Sequence, residues 1–526
     1  MLCYTDYMEL YRWQKECLEA WELNQYRGIV NVITGGGKTI LALSAAQKLL
    51  GEYPDLRVRI VVPTIPLAEQ WKQALIRSAE GEADLPGFFG GTRKDPADRR
   101  YMIYIINSAR FGLSRHIRAD LAVHRHVLLI VDECHRVTSK ENRKIFDFLT
   151  PEKEQSSLYC CLGLSATPFS GEEEEAFLQR VLGKEICRYS LANAVRDGVV
   201  APFSICQVGV GFSQEELEKH IDLSDQIRGV LGCLLDQHPW LKELPEQSFI
   251  RRVTALAALA GDDPEDPAVR FLRLCYQRKS LCIFAEERIP CCIRLLEKLT
   301  GRNRVLVFCE RIEQAEAVTN AIRHRFGAGT CGIYHSKMCA EARRRNLALF
   351  RSEAVQILVT CRCLDEGIDV PDADVGIVVS SSSLKRQRIQ RLGRIIRQFP
   401  GKSAACLYYI YVRESTDNRA YLPCFEEYRV FDLQYDKKDT CFSNDLYEYA
   451  ANELLVKAGK NQLQKTELAE LRRCLLEGLT RADYLLDRTV QHRNAEEAGS
   501  IKEKNYWIAM QGIGKYFVDT EGENEQ

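Results

Sequence analysis

Short apolar runs alternate with longer amphipathic stretches over most of the chain. Gly28-Ile29-Val30-Asn31-Val32-Ile33 is one such run, and the helix formers of 40–50 follow it across a glycine loop. Arg57 to Val62, Met102 to Ile106, Val127 to Val131 and Leu162 to Leu164 repeat the theme. Continuous apolar runs of this length predict strands buried on both faces, and their alternation with helical spacing predicts a parallel sheet. Residues 1–27 read as helical. From 213 to 300 the periodicity becomes helical throughout (215–223, 227–235, 249–260, 268–279, 283–299), with a polar two-proline hinge at 261–267. The strand pattern resumes at Arg304 to Glu310, returns at Gln356 to Cys361 and ends with Ala404 to Val412. Residues 420–526 read as mainly helical. The pattern therefore predicts an α/β chain with two parallel-sheet lobes, divided as 1–212, 213–300, 301–419 and 420–526.

Composition narrows the picture. The chain has 526 residues, enough for two or more domains, and its 46% apolar and 28% charged content is that of a globular protein. A formal net charge of −1 excludes a uniformly basic surface, so any nucleic-acid contact belongs to a local groove. None of the 21 cysteines stands at C-x-x-C spacing, and the pairs Cys160-Cys161 and Cys291-Cys292 sit inside apolar runs. Buried thiols in a reducing cytoplasm are the expectation, with no signal peptide and no run long enough to span a membrane.

Five stretches carry candidate chemistry. Thr34-Gly35-Gly36-Gly37-Lys38-Thr39 stands between the first predicted strand and the first long helix. Glycines let backbone N–H groups curl around a phosphate, and the helix N-terminus faces the same anion. Lys38 adds charge for the β/γ phosphates of ATP, and Thr39 offers its hydroxyl to Mg²⁺. Upstream, Tyr11-Arg12-Trp13-Gln14 places an amide where it can read an adenine edge. Asp132 and Glu133 emerge from the end of the Val127–Val131 run, Asp132 to hold Mg²⁺ and Glu133 to polarise the attacking water. Thr64 and Ser108, at two other strand ends, offer hydroxyls to nucleic-acid phosphates. The basic residues of 213–300 fit a nucleic-acid channel and solvated helix faces equally well.

The ordered set Tyr-Arg-Trp-Gln (11–14), Thr-Gly-Gly-Gly-Lys-Thr (34–39), Val-Pro-Thr (62–64), Asp-Glu-Cys-His (132–135) and Ser-Ala-Thr (165–167) resembles the first motor domain of a superfamily 2 helicase. Gln390, Gly393, Arg394 and Arg397 match that family's Gln-x-x-Gly-Arg-x-x-Arg pattern. The resemblance covers about residues 10–412 and implies two RecA-like lobes. It implies that Gln390, Arg394 and Arg397 reach the γ-phosphate from a different lobe than Lys38, that Gly367 and Asp369 contact ATP, and that Thr360 grips nucleic acid opposite Thr64. Two departures stand out. Val32 replaces the small residue that often opens the phosphate loop, and the acidic box is not the Asp-Glu-Ala-Asp of RNA-remodelling enzymes.

That wording, with Leu-Ser-Ala-Thr-Pro-Phe at 164–169, is closer to DNA motors of repair and restriction, so DNA is the preferred track. Two alternatives stay open. One is an RNA helicase. The other is an ATP-switched subunit of a restriction or antiviral defence complex, whose nuclease partner docks through 213–300 or 420–526.

Overall fold

A computed structural model describes residues 10–78, 85–91, 93–149, 157–169, 171–201, 203–261, 263–299, 304–361, 373–380, 391, 393–397, 402, 404–417, 430–436, 441–443, 446–458 and most of 462–524. The chain forms two compact units, each built on an eight-stranded sheet.

The first unit runs to Ala201 and also takes in the described residues of 391–397 and Lys402. Its strands are β1 (Arg27–Val32), β2 (Arg57–Val62), β3 (Gly87–Gly90), β4 (Arg93–Lys94), β5 (Tyr101–Ile105), β6 (Val127–Asp132), β7 (Tyr159–Ser165) and β8 (Glu185–Tyr189). They lie in the order β4-β3-β5-β2-β6-β7-β1-β8, parallel except for the β3–β4 hairpin. Every residue of β6 and β7 is buried, as continuous apolar runs require when helices cover both faces. The helices α1 (Arg12–Leu23), α2 (Lys38–Glu52), α3 (Ile65–Ser78) and α4 (Ile106–Ala122) follow the expected alternation. The N-terminal helix stops at Leu23 because β1 already begins at Arg27, so 1–27 is not helical throughout.

The second unit orders its strands β11-β12-β10-β13-β14-β9-β15-β16. These are β9 (Phe203–Val210), β10 (Val305–Cys309), β11 (Cys331–Tyr334), β12 (Ile357–Cys361), β13 (Val375–Val378), β14 (Ala405–Val412), β15 (Val430–Asp436) and β16 (Cys441–Ser443). Two expectations are corrected here. β9 lies before the expected boundary at 212 yet belongs to this sheet, because it pairs with β14 over eight residues, from Phe203↔Ala405 to Val210↔Val412. The region after 420 is not purely helical, since β15 pairs with β9 and turns back antiparallel into β16. Its apolar–polar alternation (Phe431, Leu433, Tyr435 against Asp432, Gln434, Asp436) is a strand pattern.

Between β9 and β10 the described residues are helices: Gln214–Gln237, Glu246–Ala260, Pro267–Ile283 and Arg288–Leu299. The first is one helix rather than two, opened by Ser213 and Glu216 in a reciprocal capping box. Leu223, Ile227, Val230 and Leu234 share one of its faces and pack with Phe271 and Leu274 in a core separate from those of the sheets.

Candidate functional site

The C-terminal ends of β1 and β6 open into one cavity of about 290 Å³. Its walls include Thr34, Gly35, Gly37, Lys38, Thr39, Leu67, Gln70, Asp132, Glu133, Arg394 and Arg397, all from the first unit. In parallel sheets ligands bind beyond these strand ends, where loops diverge.

The glycine loop is shaped before any ligand arrives. Gly37 caps α2 at φ 94°, a left-handed conformation that a side chain resists, and a Cβ there would lie 2.8 Å from Gln14 Nε2. Gln14 is buried and already engaged. Its Nε2 donates to the Gly37 carbonyl (3.1 Å), and its Oε1 accepts from the Tyr11 N–H (3.0 Å). The amide expected at an adenine edge therefore braces the phosphate loop. Gly36 is buried beneath the loop, its N–H turned back to the Ile33 carbonyl (3.2 Å), and it does not line the cavity.

Opposite the loop, β6 ends at Asp132, and Glu133 turns the chain at φ 52° and ψ 52°. Glu133 Oε1 lies 3.4 Å from Lys38 Nζ, and Oε2 lies 3.5 Å from His135 Nδ1. His135 is buried and reaches Ser165 Oγ at the end of β7 (3.0 Å), which in turn accepts from the Thr167 N–H (3.1 Å). In the sequence, His135 and Ser165 stand only as letters of the Asp-Glu-Cys-His and Ser-Ala-Thr motifs, with no role of their own. Their signal is one of place, because each stands at the end of one of two adjacent strands. Asp132 is buried, with Oδ1 accepting from the Glu133 N–H (3.0 Å) and Oδ2 from Trp71 Nε1 (2.9 Å). Burial, then the Glu133 carboxylate, push the Asp132 carboxyl up to about 6. Among the described residues no three His, Cys, Asp or Glu side chains converge as a metal site.

The arginines stand where the sequence did not place them. The described residues of 391–397 belong to the first unit, with Lys38, rather than to the second. Three contacts explain this. Val200 bridges Arg397, the Ala201 N–H donates to the Ile396 carbonyl (2.9 Å), and Gly393 fits so closely that a Cβ would lie 2.3 Å from Thr34 Cβ. Arg394 is buried and Arg397 half-buried on the cavity wall. Gln390, Gly367 and Asp369 lie outside the described residues.

Of the nucleic-acid candidates, Thr64 follows β2 and caps α3, its Oγ1 accepting from the Leu67 N–H (3.4 Å). Ser108 lies in the first turn of α4, which follows the neighbouring strand β5, and accepts from the Gly91 N–H (3.4 Å). Both therefore stand at the same edge of the first sheet. Thr360 is buried within β12, only 1% exposed, so its hydroxyl is not offered to a surface groove.

Residues 7–170 match the family described as "Type III restriction enzyme, res subunit", and residues 287–398 match "Helicase conserved C-terminal domain". The chain is 26% identical over 394 residues to "DNA 3'-5' translocase XPB2" of Sulfurisphaera tokodaii, covering 75% of this chain and 80% of that protein. It is 27% identical over 366 residues to "Putative DNA 3'-5' helicase Rad25" of Haloarcula marismortui, covering 69% of this chain and 46% of the relative, so it spans about half of that protein. The crystal structure of the Pyrococcus furiosus Hef helicase domain has the same fold, with a TM-score of 0.51 at 17% identity over 80% of this chain and 99% of that one.

Proposed function

This chain is a superfamily 2 helicase, and on that premise we propose that it hydrolyses ATP in the cavity beside Lys38 and uses the cycle to move along DNA. One observation carries the reading: Lys38, Glu133, Arg394 and Arg397 converge on a single polar cavity at the sheet edge. Phosphoryl transfer needs positioning and charge neutralisation more than covalent chemistry, and this constellation supplies both.

The residues fit a nucleoside triphosphate with a divalent cation. The first turn of α2 presents its N–H groups behind Gly37, and Thr34 Oγ1 is buried with no hydrogen-bond partner among the described residues. Thr39 and Asp132 supply the one hydroxyl and one carboxylate that suffice for Mg²⁺ beside phosphate oxygens. When bound, Mg²⁺ neutralises charge developing on the phosphates. Lys38 holds the β/γ phosphates and, at 3.4 Å, pairs with Glu133 Oε1 and aims it into the cavity. Glu133 orients the water and accepts its proton, and the buried His135 fixes its second oxygen. Arg394 and Arg397 face the leaving charge. Their stretch is continuous in sequence with β13 before it and β14 after it, so loss of the γ-phosphate is passed along the chain to strands of the second sheet.

Relatives named for 3'-5' translocation and helicase action on DNA support DNA as the track. Thr64 and Ser108 support contacts to phosphates, which carry no base identity, so binding is tolerant of sequence. The test is steady-state ATPase of the purified chain, alone and with single-stranded DNA, duplex DNA and RNA, at one fixed low salt concentration. DNA should stimulate turnover strongly, and Lys38→Ala should abolish it without unfolding the protein. Stimulation by RNA alone would overturn the choice of track, and turnover that no polymer changes would overturn the motor.

A further inference from the structure

Helix α3 leans its inner face on the nucleotide cavity. Leu67 and Gln70 line it, and Trp71 lies on the same face one residue further. The Trp71 indole is 1% exposed, and its N–H donates to Asp132 Oδ2 at 2.9 Å. Asp132 Oδ1 is held separately by the Glu133 N–H. Each carboxylate oxygen thus has one protein donor and keeps further lone pairs for a cation. An indole N–H only donates, so this contact holds the carboxylate in the acceptor role that metal ligation requires. A leucine would fill the space between α3 and the sheet without introducing a buried polar group. The indole introduces one and satisfies it only at Asp132.

We propose that Trp71 is a positioning residue: it orients the Asp132 carboxylate toward Mg²⁺ and ties that orientation to α3. The inference rests on the reading of Asp132 as the Mg²⁺ ligand. Its consequence reaches further along the helix. Thr64 immediately precedes α3 and caps it with its hydroxyl, and Thr64 is a candidate contact for a nucleic-acid phosphate. Thr64 and Trp71 are seven positions apart, about 10 Å at a helical rise of roughly 1.5 Å per residue. A phosphate that shifts or stiffens the start of α3 therefore acts on the metal ligand through one rigid element, and DNA and Mg²⁺ assist each other reciprocally.

The experiment uses the full chain and reads binding as well as turnover. Affinity for a fluorescent ATP analogue is titrated with Mg²⁺ and repeated in EDTA, for the native protein, Trp71→Phe, and a protein with benzothiophene in place of the Trp71 indole. The last change deletes the N–H and keeps the shape, so it separates the hydrogen bond from packing. The Mg²⁺ needed for half-maximal binding should rise about tenfold or more, the usual effect of removing an outer-shell partner, while affinity in EDTA is unchanged. A native Mg²⁺ requirement in the folded benzothiophene protein would overturn the proposal. Asp132→Asn distinguishes the two ways to fail. If it leaves the Mg²⁺ requirement untouched, the ligand reading falls and the proposal with it. If it removes the Mg²⁺ effect and the Trp71 proteins do not, only the positioning role falls. Finally, DNA should lower the Mg²⁺ requirement of the native protein more than that of the Trp71 proteins. An equal effect in both would overturn the link through α3.

Discussion

Replacing Gln14 by methionine separates two roles that the same amide can serve. The side chain is buried, with Nε2 on the Gly37 carbonyl at 3.1 Å and Oε1 on the Tyr11 N–H at 3.0 Å. Methionine keeps the length and apolar stem and removes both partners. Tyr11 lies near solvent, so its N–H finds water at little cost. The Gly37 carbonyl keeps the Leu41 N–H (3.1 Å), so losing the Gln14 donor costs one net hydrogen bond, about 0.5–1.5 kcal/mol. That cost falls on the conformation at φ 94° in which the loop presents its N–H groups to phosphate. At about 1.4 kcal/mol per tenfold, nucleotide affinity should drop roughly 2- to 12-fold. The brace acts on the loop and not on the base, so ATP and GTP should weaken by the same factor in calorimetric titrations of both nucleotides. Selective loss of ATP would show that Gln14 reads adenine after all. No loss for either would show that the hydrogen bond to Gly37 does not shape the loop.

Three further outcomes test the rest of the site. Glu133→Gln should bind ATP normally and hydrolyse it on the order of 10²–10⁴ times more slowly in single-turnover assays, and weak ATP binding instead would remove Glu133 from the role of base. Arg394→Ala should cost about 10³-fold or more in turnover, and Gly393→Ala should follow it because the new methyl would meet Thr34 Cβ at 2.3 Å and lift the arginines off the loop. Both variants should still bind nucleotide, and normal turnover in either would refute the docking. The pH dependence comes from Asp132, whose carboxyl is raised from 3.8 to about 6. A raised value means that the protonated form favours the fold, so this contribution is complete below about pH 4 and lost as pH rises through about 6. Thermal stability of the nucleotide-free chain should therefore fall between about pH 4 and 6, and Asp132→Asn should remove that part of the slope.

Much of this protein could be read directly from the order of its residues. The runs at 28–33, 57–62 and 127–131 became β1, β2 and β6, because a strand buried on both faces must be mostly apolar, a local demand that β2 breaks only where the buried Arg59 pairs with Asp120. The glycine loop and Asp132-Glu133 were legible for a related reason, since a strand, a tight turn and a helix start within a few residues leave little choice of place. Partnership across long sequence distances was decided only by the tertiary structure. β9 joined the second sheet through a strand about 200 residues later, and a single strand's pattern does not say which sheet edge it completes. Gln14 was set to brace Gly37, Trp71 to hold Asp132, and His135 to link Glu133 with Ser165, each across 23 to 61 positions. Gly393 let the arginine stretch settle on Thr34 across more than 300 residues of chain. These hydrogen bonds and close contacts depend on which strand ends lie side by side. Local periodicity reports what an element buries, and only the folded sheet decides what its ends meet.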